Sequence, residues 1–537
     1  MSDSATSTFD YIIIGAGTAG CVLAARLSEN PAHRVCLIEA GGSEQHPYIS
    51  IPAAVGAAIM SERFGWGLAT TPQAALNHRV IALPRGKVLG GSGSVNGMAY
   101  YRGPARDYDD WAAAGNHGWS YAELLPYFLR SERNEYYGSS ACHRTDGPMA
   151  VSFVKRPNAL CEVFNRAMAE LGFPYCEDFN VAAPEGYGYR QGSISKGRRV
   201  STASAYLRPA LPRKNLTVLT HTMTRRVVLE HGTAVGVEIQ TAHGQQTLRV
   251  RREVVLSAGA FHSPHILLHS GIGDSVELEA AGITPQHQLS GVGRNLTDHP
   301  ATYVAMDTDD CTSYGLSWRA SLRDLWNGLE YLLARQGPLA SNLFETNAYI
   351  KTHSGLDRPD MQVVFQPARR NIKPFPLPLG HGYAISLVFL YPHSRGTVKV
   401  SSNDPLSKPL IDPALGSAQQ DIDTLVSGVK LARRILGATG FQPYNARERL
   451  PGATVNNDAE LATYVRNTLA TVHHPGGTCR MGIDAEAVVD PELQVHGLSG
   501  LRVVDASVYP RLVGANTNAS VVAIAEKASD MLLSVKP

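Results

Sequence analysis

The sequence has few cysteines, no long apolar run and no large excess of either charge. Its seven cysteines, at positions 21, 36, 142, 161, 176, 311 and 479, lie far apart, and none form a Cys-x-x-Cys pair. This spacing argues against a disulfide framework and against a zinc site, and it favours a reducing compartment. We therefore predict no metal site.

Membrane insertion and nucleic-acid binding have little support either. No stretch reaches the roughly 20 apolar residues that a membrane-spanning helix needs. The polar start, Met1 to Thr8, lacks the apolar core of an export signal. The net charge is +2 and the basic residues are scattered, so no nucleic-acid partner is indicated. These features predict a cytoplasmic protein and leave the oligomeric state open.

The length, 537 residues, predicts more than one domain, because single cores seldom grow past about 250–300 residues. Short buried strands and helices at both ends of the chain predict an α/β first domain, formed by residues 1–158, 199–300 and 465–537. Longer alternating segments predict an inserted domain with a mixed or antiparallel sheet, formed by residues 159–198 and 301–464. Its expected strands include Met361–Gln366, Tyr383–Leu390 and Gly396–Val400, covered by helices near Leu322–Leu333 and Asp421–Leu436.

A glycine motif near the start predicts a dinucleotide site. Gly15-x-Gly17-x-x-Gly20 follows the apolar run Tyr11–Ile14 and opens a segment with helical spacing. Such a turn lets the backbone approach a pyrophosphate at a helix N-terminus. Glu39 ends the next apolar run, where it can accept hydrogen bonds from ribose hydroxyls. These residues do not distinguish FAD from a nicotinamide cofactor.

Further motifs, spread over the whole chain, resemble those of the glucose–methanol–choline (GMC) oxidoreductases. They are Arg85–Tyr100 with its GGSGS turn, Ser257–Gly273, Gly291–His299, His474–Gly482, Val504–Ser507 and Asn516–Ala519. The resemblance implies bound FAD in a discontinuous Rossmann-like domain, with the inserted domain binding the substrate. By motif, the cofactor-binding residues are Gly15, Gly17, Thr18, Ala19, Gly20, Glu39, Ala40, Val88, Gly91, Ser92, Asn96, Gly97, Met98, Ala99, Thr224, Ala258, His473, Asp505, Ala506, Asn516 and Thr517.

The resemblance also implies oxidation of a small-molecule alcohol. An alkoxide donates hydride far better than an alcohol does, so the site needs a base, and histidine is the side chain whose pKa suits this task. His474 is the expected general base, and Asn516 is expected to contact the substrate oxygen while hydride passes to flavin N5.

The electron acceptor and the substrate stay open. The motif wording most resembles bacterial alcohol dehydrogenases, which favours a quinone-like acceptor, whereas Val472 resembles a position near the oxygen site of oxidases. A non-redox flavin lyase, a photodecarboxylase and a nicotinamide enzyme are more distant alternatives. For the substrate pocket we expect contributions from Trp66, Glu345, Phe365 and Val472.

One departure from the family pattern concerns covalent attachment of the cofactor. Some family members bind FAD through a histidine just before the asparagine of the first signature, and this chain has Val95 there. Because an alkyl side chain cannot form that bond, acid precipitation should release all flavin into the supernatant. Absorbance of the supernatant and the pellet measures this, and flavin retained in the pellet would contradict the prediction.

Overall fold

A computed structural model describes residues 8–370 and 379–534. Its first sheet has seven strands, with parallel strands at its centre and an antiparallel extension at one edge. In spatial order they are Leu216–Leu219, Val35–Ile38, Thr8–Ile14, Gly244–Leu256, Thr233–Thr241 and Met223–Glu230, with Leu501–Val503 also paired to Gly244–Leu256. The apolar runs from Tyr11 and Val35 are buried in it, which confirms the predicted α/β fold with its buried parallel strands.

The second sheet also has seven strands and is antiparallel throughout. In spatial order they are Arg447–Leu450, Pro300–Asp307, Gly382–Phe389, Met361–Gln366, Thr346–Ile350 and Gly186–Tyr189, with Ala470–Thr471 beside Pro300–Asp307. One face packs on the helix Gln419–Leu436, whose Ile422 and Leu425 are buried in the same core as Phe365. The domain boundaries remain a prediction, and Ala470–Thr471 joins this sheet from beyond the expected end of the inserted domain.

Two predicted elements of the second domain lie elsewhere. The strand Thr397–Lys399 pairs only with Leu410–Asp412, in a separate two-stranded sheet. The helix Ser321–Ala334 does not cover the large sheet. Its large apolar residues face solvent, with Leu322 83% and Trp326 67% exposed, and Tyr331 is its one buried residue. The helical spacing of the apolar residues correctly predicted a helix here, but the apolar face of this helix points towards solvent.

The remaining elements connect and flank these sheets. The other helices are Thr18–Leu27, Pro47–Ser50, Val55–Met60, Ala105–Ala113, Tyr121–Ser131, Ala159–Glu170, Arg208–Ala210, Gly259–His269, Ser275–Ala280, Asp458–Thr468 and Asn518–Ser534. The small sheets pair Leu68–Ala69 with Ala82–Leu83, Ile194–Ser195 with Arg198–Arg199, Ile272–Gly273 with His287–Gln288, and Met149–Phe153 with both Glu132–Asn134 and Gln191–Gly192. Within the described residues, no helix is long and apolar enough to cross a membrane.

The C-terminal helix, Asn518–Ser534, is anchored against the first helix of the chain. Its Glu526 is fully buried and receives hydrogen bonds from Arg26 at 2.8 and 2.9 Å and from Tyr206 at 2.6 Å. A buried carboxylate is costly unless it is paired, and here it is paired on several sides. The two helix N-termini are thereby held on the same side of the first sheet, where the cavity described below opens.

Two leucines on different helices test which helix covers the second sheet. Leu425→Ala should lower the free energy of unfolding by about 2–5 kcal/mol, because Leu425 is fully buried and the substitution leaves a cavity. The matched substitution Leu322→Ala, on the outward-facing helix, should change it by no more than about 0.5 kcal/mol. Urea unfolding followed by circular dichroism measures both, and equal losses would show that the helix Ser321–Ala334 is packed.

Candidate active site

A cavity of about 1040 Å³ lies between the two sheets. The first domain contributes the glycine turn after Ile14, the segment from Arg85 to Ala99 and the start of the C-terminal helix. The second domain contributes the strands Met361–Gln366 and Gly382–Phe389 and the turn after Ala470–Thr471. The cavity therefore collects motifs that are up to 500 residues apart in the sequence.

The glycine turn allows three backbone segments to approach closely. A Cβ atom on Gly20 would lie 1.9 Å from the Gly15 carbonyl oxygen, so the helix could not pack on the strand with any other residue there. A Cβ atom on Gly91 would lie 2.8 Å from Gly17 Cα. The first N–H groups of the helix Thr18–Leu27 have no partner within the helix and carry its partial positive charge. This end of the cavity is suited to a phosphate group.

Glu39 closes the same end of the cavity. It is buried, and its carboxylate accepts hydrogen bonds from the N–H groups of Ala16 at 2.9 Å and Gly41 at 2.8 Å. Burial raises the pKa of Glu39 to about 7, against the lowering effect of these hydrogen bonds and of Lys87. The carboxyl group is thus held rigidly beside the glycine turn, where a ribose hydroxyl can reach it.

Most of the predicted cofactor-binding residues line this cavity, and two do not. Gly20 lies beneath the turn and serves helix packing. Val88 is 1% exposed and packs among Ile49, Phe64 and Val95, so its side chain faces a small apolar cluster rather than the cavity. Those that line the cavity are Gly15, Gly17, Thr18, Ala19, Glu39, Ala40, Gly91, Ser92, Asn96, Gly97, Met98, Ala99, Thr224, Ala258, His473, Asp505, Ala506, Asn516 and Thr517.

His474 and Asn516, the two predicted catalytic residues, are in contact. Asn516 Nδ2 lies 3.0 Å from His474 Nε2, and His474 Nδ1 lies 3.0 Å from His299 Nδ1. With Asn516 donating to Nε2, the proton of His474 is on Nδ1 and is donated to His299. The single lone pair of Nε2 is then occupied by the Asn516 amide, so His474 accepts a substrate proton once a hydroxyl displaces this contact.

The backbone around His474 is held by two charged side chains, Asp298 and Arg85. Asp298 Oδ1 accepts the His474 N–H at 2.7 Å, and Arg85 Nη1 donates to the His473 carbonyl at 2.9 Å. His473 has a positive φ of 69°, which bends the chain so that the two neighbouring histidines point apart. His473 lines the cavity, but it makes no contact with Asn516.

Burial keeps the histidines of this site neutral. Desolvation lowers the pKa of His474 well below its ordinary value, helped by His299, His473 and Arg85. The pKa values of His299 and His473 are each lowered to about 3 for the same principal reason. Burial raises the pKa of Asp298 to about 6, opposed by Arg85. A neutral imidazole is the form that a general base requires.

Asp505 orders the opposite wall through three hydrogen bonds. Its carboxylate accepts from the Gly259 N–H at 2.8 Å, from Ser263 Oγ at 2.5 Å and from the Ser507 N–H at 2.7 Å. These contacts join the motif Val504–Ser507 to the helix Gly259–His269. The next lining residues along the chain, Asn516 and Thr517, lead directly into the C-terminal helix.

The four predicted substrate-pocket residues separate into two pairs. Trp66 and Val472 line the cavity. Phe365 does not, because side chains alternate along a strand: Gln362, Val364 and Gln366 face the cavity, and Phe365 stacks on Phe164 in the core behind.

Glu345 is likewise outside the cavity lining. It is 1% exposed, and its carboxylate accepts hydrogen bonds from Tyr314 at 2.7 Å, Ser341 at 2.5 Å and the Asn158 N–H at 2.6 Å. These contacts tie three segments of the second domain together. The predicted pocket roles of Phe365 and Glu345 are therefore corrected to structural ones.

Comparison with known families shows which one has these motifs. The N-terminal GMC oxidoreductase model matches residues 9–301, and the C-terminal GMC oxidoreductase model matches residues 392–525. The chain belongs to the GMC oxidoreductases. Similar relatives of this GMC oxidoreductase include an alcohol dehydrogenase [acceptor] of Pseudomonas putida, 39% identical over 98% of this chain and 96% of its own. An oxygen-dependent choline dehydrogenase of Brucella anthropi matches with the same identity and the same coverage.

Solved structures extend the likeness to the fold of the GMC oxidoreductase. Pyridoxine 4-oxidase from Mesorbium loti superimposes with a TM-score of 0.88 at 32% identity, covering 98% of this chain and 100% of its own. A formate oxidase variant of Aspergillus oryzae RIB40, studied for FAD modification, gives 0.90 at 27% identity, with 99% of both chains covered. These matches confirm the predicted family and fold.

The sequence patterns did not predict several residues that line the cavity. Gln362, Gln366 and Ser386 project from the second sheet into it, and Arg190 and Phe344 lie beside the strand Thr346–Ile350. The alternation of the strand Met361–Gln366 carried the signal for the glutamines, since both share a face. Nothing in the pattern indicated Arg190, which follows the short strand Gly186–Tyr189.

Proposed function

We propose that this protein is an FAD-dependent oxidoreductase that oxidises the CH–OH group of an alcohol to a carbonyl. The observation that carries the proposal is the contact between His474 and Asn516 inside the cavity. The family membership supports it, as do relatives whose names are alcohol and choline dehydrogenases. A carbonyl product requires both a proton and a hydride to leave, and the residues described here account for the proton.

The cavity fits FAD along its length. Its glycine turn leaves no room for side chains between Gly17 and Gly91, which suits a pyrophosphate lying against backbone. Glu39 suits the adenosine ribose, and the segment from Asn96 to Ala99 suits the ring. Val95 is buried beside this segment and offers no nucleophile, which supports non-covalent binding. When bound, FAD supplies the acceptor for the substrate hydride.

His474 removes the hydroxyl proton in this proposal. Its Nε2 lone pair is the acceptor, and the Nδ1 proton stays on the hydrogen bond to His299. Because burial disfavours the charged imidazolium, the proton taken from the substrate has to be passed on or returned to solvent after each turnover. Asp298 and Arg85 hold the backbone so that Nε2 stays aimed into the cavity.

Asn516 binds the same substrate oxygen. Its amide N–H is in direct contact with Nε2. A substrate hydroxyl that replaces this contact would donate to His474 and accept from Asn516. As the proton leaves, the amide dipole stabilises the developing alkoxide without reorganisation. The C-terminal helix begins two residues later, and its positive N-terminal end faces the cavity through Thr517 and Asn518.

We further propose that electrons pass to an acceptor other than dioxygen, such as a quinone. The wording of the C-terminal motifs and the likeness to an acceptor-type alcohol dehydrogenase support this choice. An oxygen electrode, read with and without an artificial acceptor, decides between the two. Turnover that consumes oxygen at full rate without the artificial acceptor would make the protein an oxidase.

Removal of the base is the direct test. His474→Ala should lower kcat for alcohol oxidation by roughly 10²–10⁴-fold, the range for loss of a general base, while bound FAD stays at the wild-type amount. Flavin absorbance per chain and acceptor reduction measure the two quantities. As a control, His269→Gln changes a buried histidine that does not itself line the cavity, although its partner His265 does, and it should keep turnover near wild type. Normal turnover in His474→Ala would remove His474 from the mechanism.

The lowered pKa of His474 predicts the pH dependence. The base acts in its neutral form, and that form persists to lower pH when the pKa is depressed. The acid limb of kcat/KM should therefore lie below pH 6.5, the ordinary histidine value, with activity lost only as pH falls through the lowered pKa. A limb centred at or above that value would show that His474 is not desolvated in the working enzyme.

A further inference from the structure

Arg190 is a buried cation with no carboxylate in direct contact, although Glu345 lies near enough to act on its charge. Arg190 is 6% exposed, and no ion pair in the described part of the chain includes it. Its guanidinium makes one long hydrogen bond, from Nη2 to the Gly97 carbonyl at 3.5 Å, and its Nε has no partner. A charge removed from water without compensation is strongly unfavourable, so this site lacks an anion.

Other buried arginines of the chain show what compensation looks like. Arg102 pairs with Glu132 at 2.9 Å, and Arg502 pairs with Glu253 at 2.6 Å. Arg199 has no carboxylate, but it donates to the Ile49 carbonyl at 2.8 Å and to both oxygens of Asn96 at 2.6 and 2.8 Å. Arg190 has no carboxylate in contact and makes only the long bond to Gly97 within the described residues, and it lines the cavity. Arg85 also lines the cavity without an ion pair to a described residue, but it donates to the His473 carbonyl at 2.9 Å.

Arg190 lies on the substrate side of the cavity. It follows the strand Gly186–Tyr189 of the second sheet, and its guanidinium carbon sits 5.6 Å from the ring centre of Phe344. Phe344, Val364, Val388 and Val472 belong to one apolar cluster, and Val472 is two residues before His474. An apolar wall therefore runs from the unpaired guanidinium to the base.

The charges of the lining favour an anion over a cation. Six cationic side chains line the cavity, namely Arg85, Lys87, Arg190, Arg369, Arg370 and Lys408. The two lining carboxylates, Glu39 and Asp505, already accept hydrogen bonds from backbone N–H groups. The two negative charges of a bound pyrophosphate would still leave the cationic side chains in excess. No carboxylate of the described lining is free to pair with an ammonium group.

We propose that Arg190 binds a carboxylate at the far end of the substrate, so that the preferred substrates are alcohols with an apolar chain ending in a carboxylate. The planar fork of a guanidinium matches a carboxylate through two parallel hydrogen bonds. The apolar wall contacts the chain between the two ends, and His474 with Asn516 receives the hydroxyl. This inference rests on the proposed function, and it excludes choline-like cations as good substrates.

The test compares three substrates of one length in the holoenzyme: an ω-hydroxycarboxylate, the neutral primary alcohol, and the same chain ended by trimethylammonium. Wild type should give the highest kcat/KM with the hydroxycarboxylate and the lowest with the cation. Arg190→Gln should lower kcat/KM for the hydroxycarboxylate by about 10–100-fold, the loss expected for a hydrogen bond between charged groups. Its values for the neutral alcohol should change by less than about threefold.

Two control variants separate charge from geometry. Arg190→Lys keeps the charge but loses the fork, so it should recover only part of the preference for the hydroxycarboxylate. Arg369→Gln removes an arginine that also lines the cavity but is already paired with Asp307 at 2.9 Å, and it should leave the substrate ranking unchanged. An equal preference loss in Arg369→Gln would show that only the overall cavity charge matters, which would overturn the assignment to Arg190.

A binding measurement distinguishes failure of this inference from failure of the proposed function. A saturated fatty carboxylate of the same length, which has no hydroxyl, should perturb the flavin spectrum of wild type and not that of Arg190→Gln. If no alcohol bleaches the flavin anaerobically, the proposed function fails whatever the carboxylate does. If alcohols bleach it without any carboxylate preference, or if Arg190→Gln loses FAD or shifts its spectrum, Arg190 serves another purpose and this inference fails.

Discussion

The contact of His474 with Asn516 on one side and His299 on the other is the arrangement on which the rest of the structure depends. Both distances are 3.0 Å, so both ring nitrogens of His474 are within hydrogen-bond distance of a partner. The contact requires elements from both ends of the second domain to meet: His299 precedes the strand Pro300–Asp307, and His474 follows its partner Ala470–Thr471. The antiparallel pairing of these two strands is what places the two histidines together.

The surroundings of His474 keep its imidazole neutral. Desolvation is the largest influence on the pKa values of His299, His473 and His474, and Arg85 also lowers those of His473 and His474. The same low-dielectric surroundings make an unpaired charge unfavourable, and the buried carboxylates of Asp298 and Asp505 accept hydrogen bonds from backbone N–H groups. Arg190 Nε has no such partner, and we propose that a ligand anion pairs with this guanidinium.

Local patterns in the sequence predicted the parts of the site that are themselves local. The turn from Gly15 to Gly20 needs particular backbone geometry, and His474 stands within a recognisable motif, so both could be found without a structure. Phe365 could not be placed, because the sequence shows the alternation of a strand and not which face meets the other domain. The prediction that the helix Ser321–Ala334 covers the second sheet was wrong for the same reason. The sequence shows its apolar stripe, but nothing in the local pattern indicates which way that stripe faces. None of the sequence motifs includes Arg190.

The pairing of the first sheet sets the order in which the protein can mature on the ribosome. The strand Thr8–Ile14 is made first, yet one of its two neighbours, Gly244–Leu256, emerges over two hundred residues later and itself pairs with Leu501–Val503. The helix Asn518–Ser534, whose Glu526 neutralises Arg26 near the start, is made last of all. The amino-terminal strand therefore keeps one edge unpaired until Gly244–Leu256 has been synthesised, and the helix whose Glu526 pairs with Arg26 follows only after that.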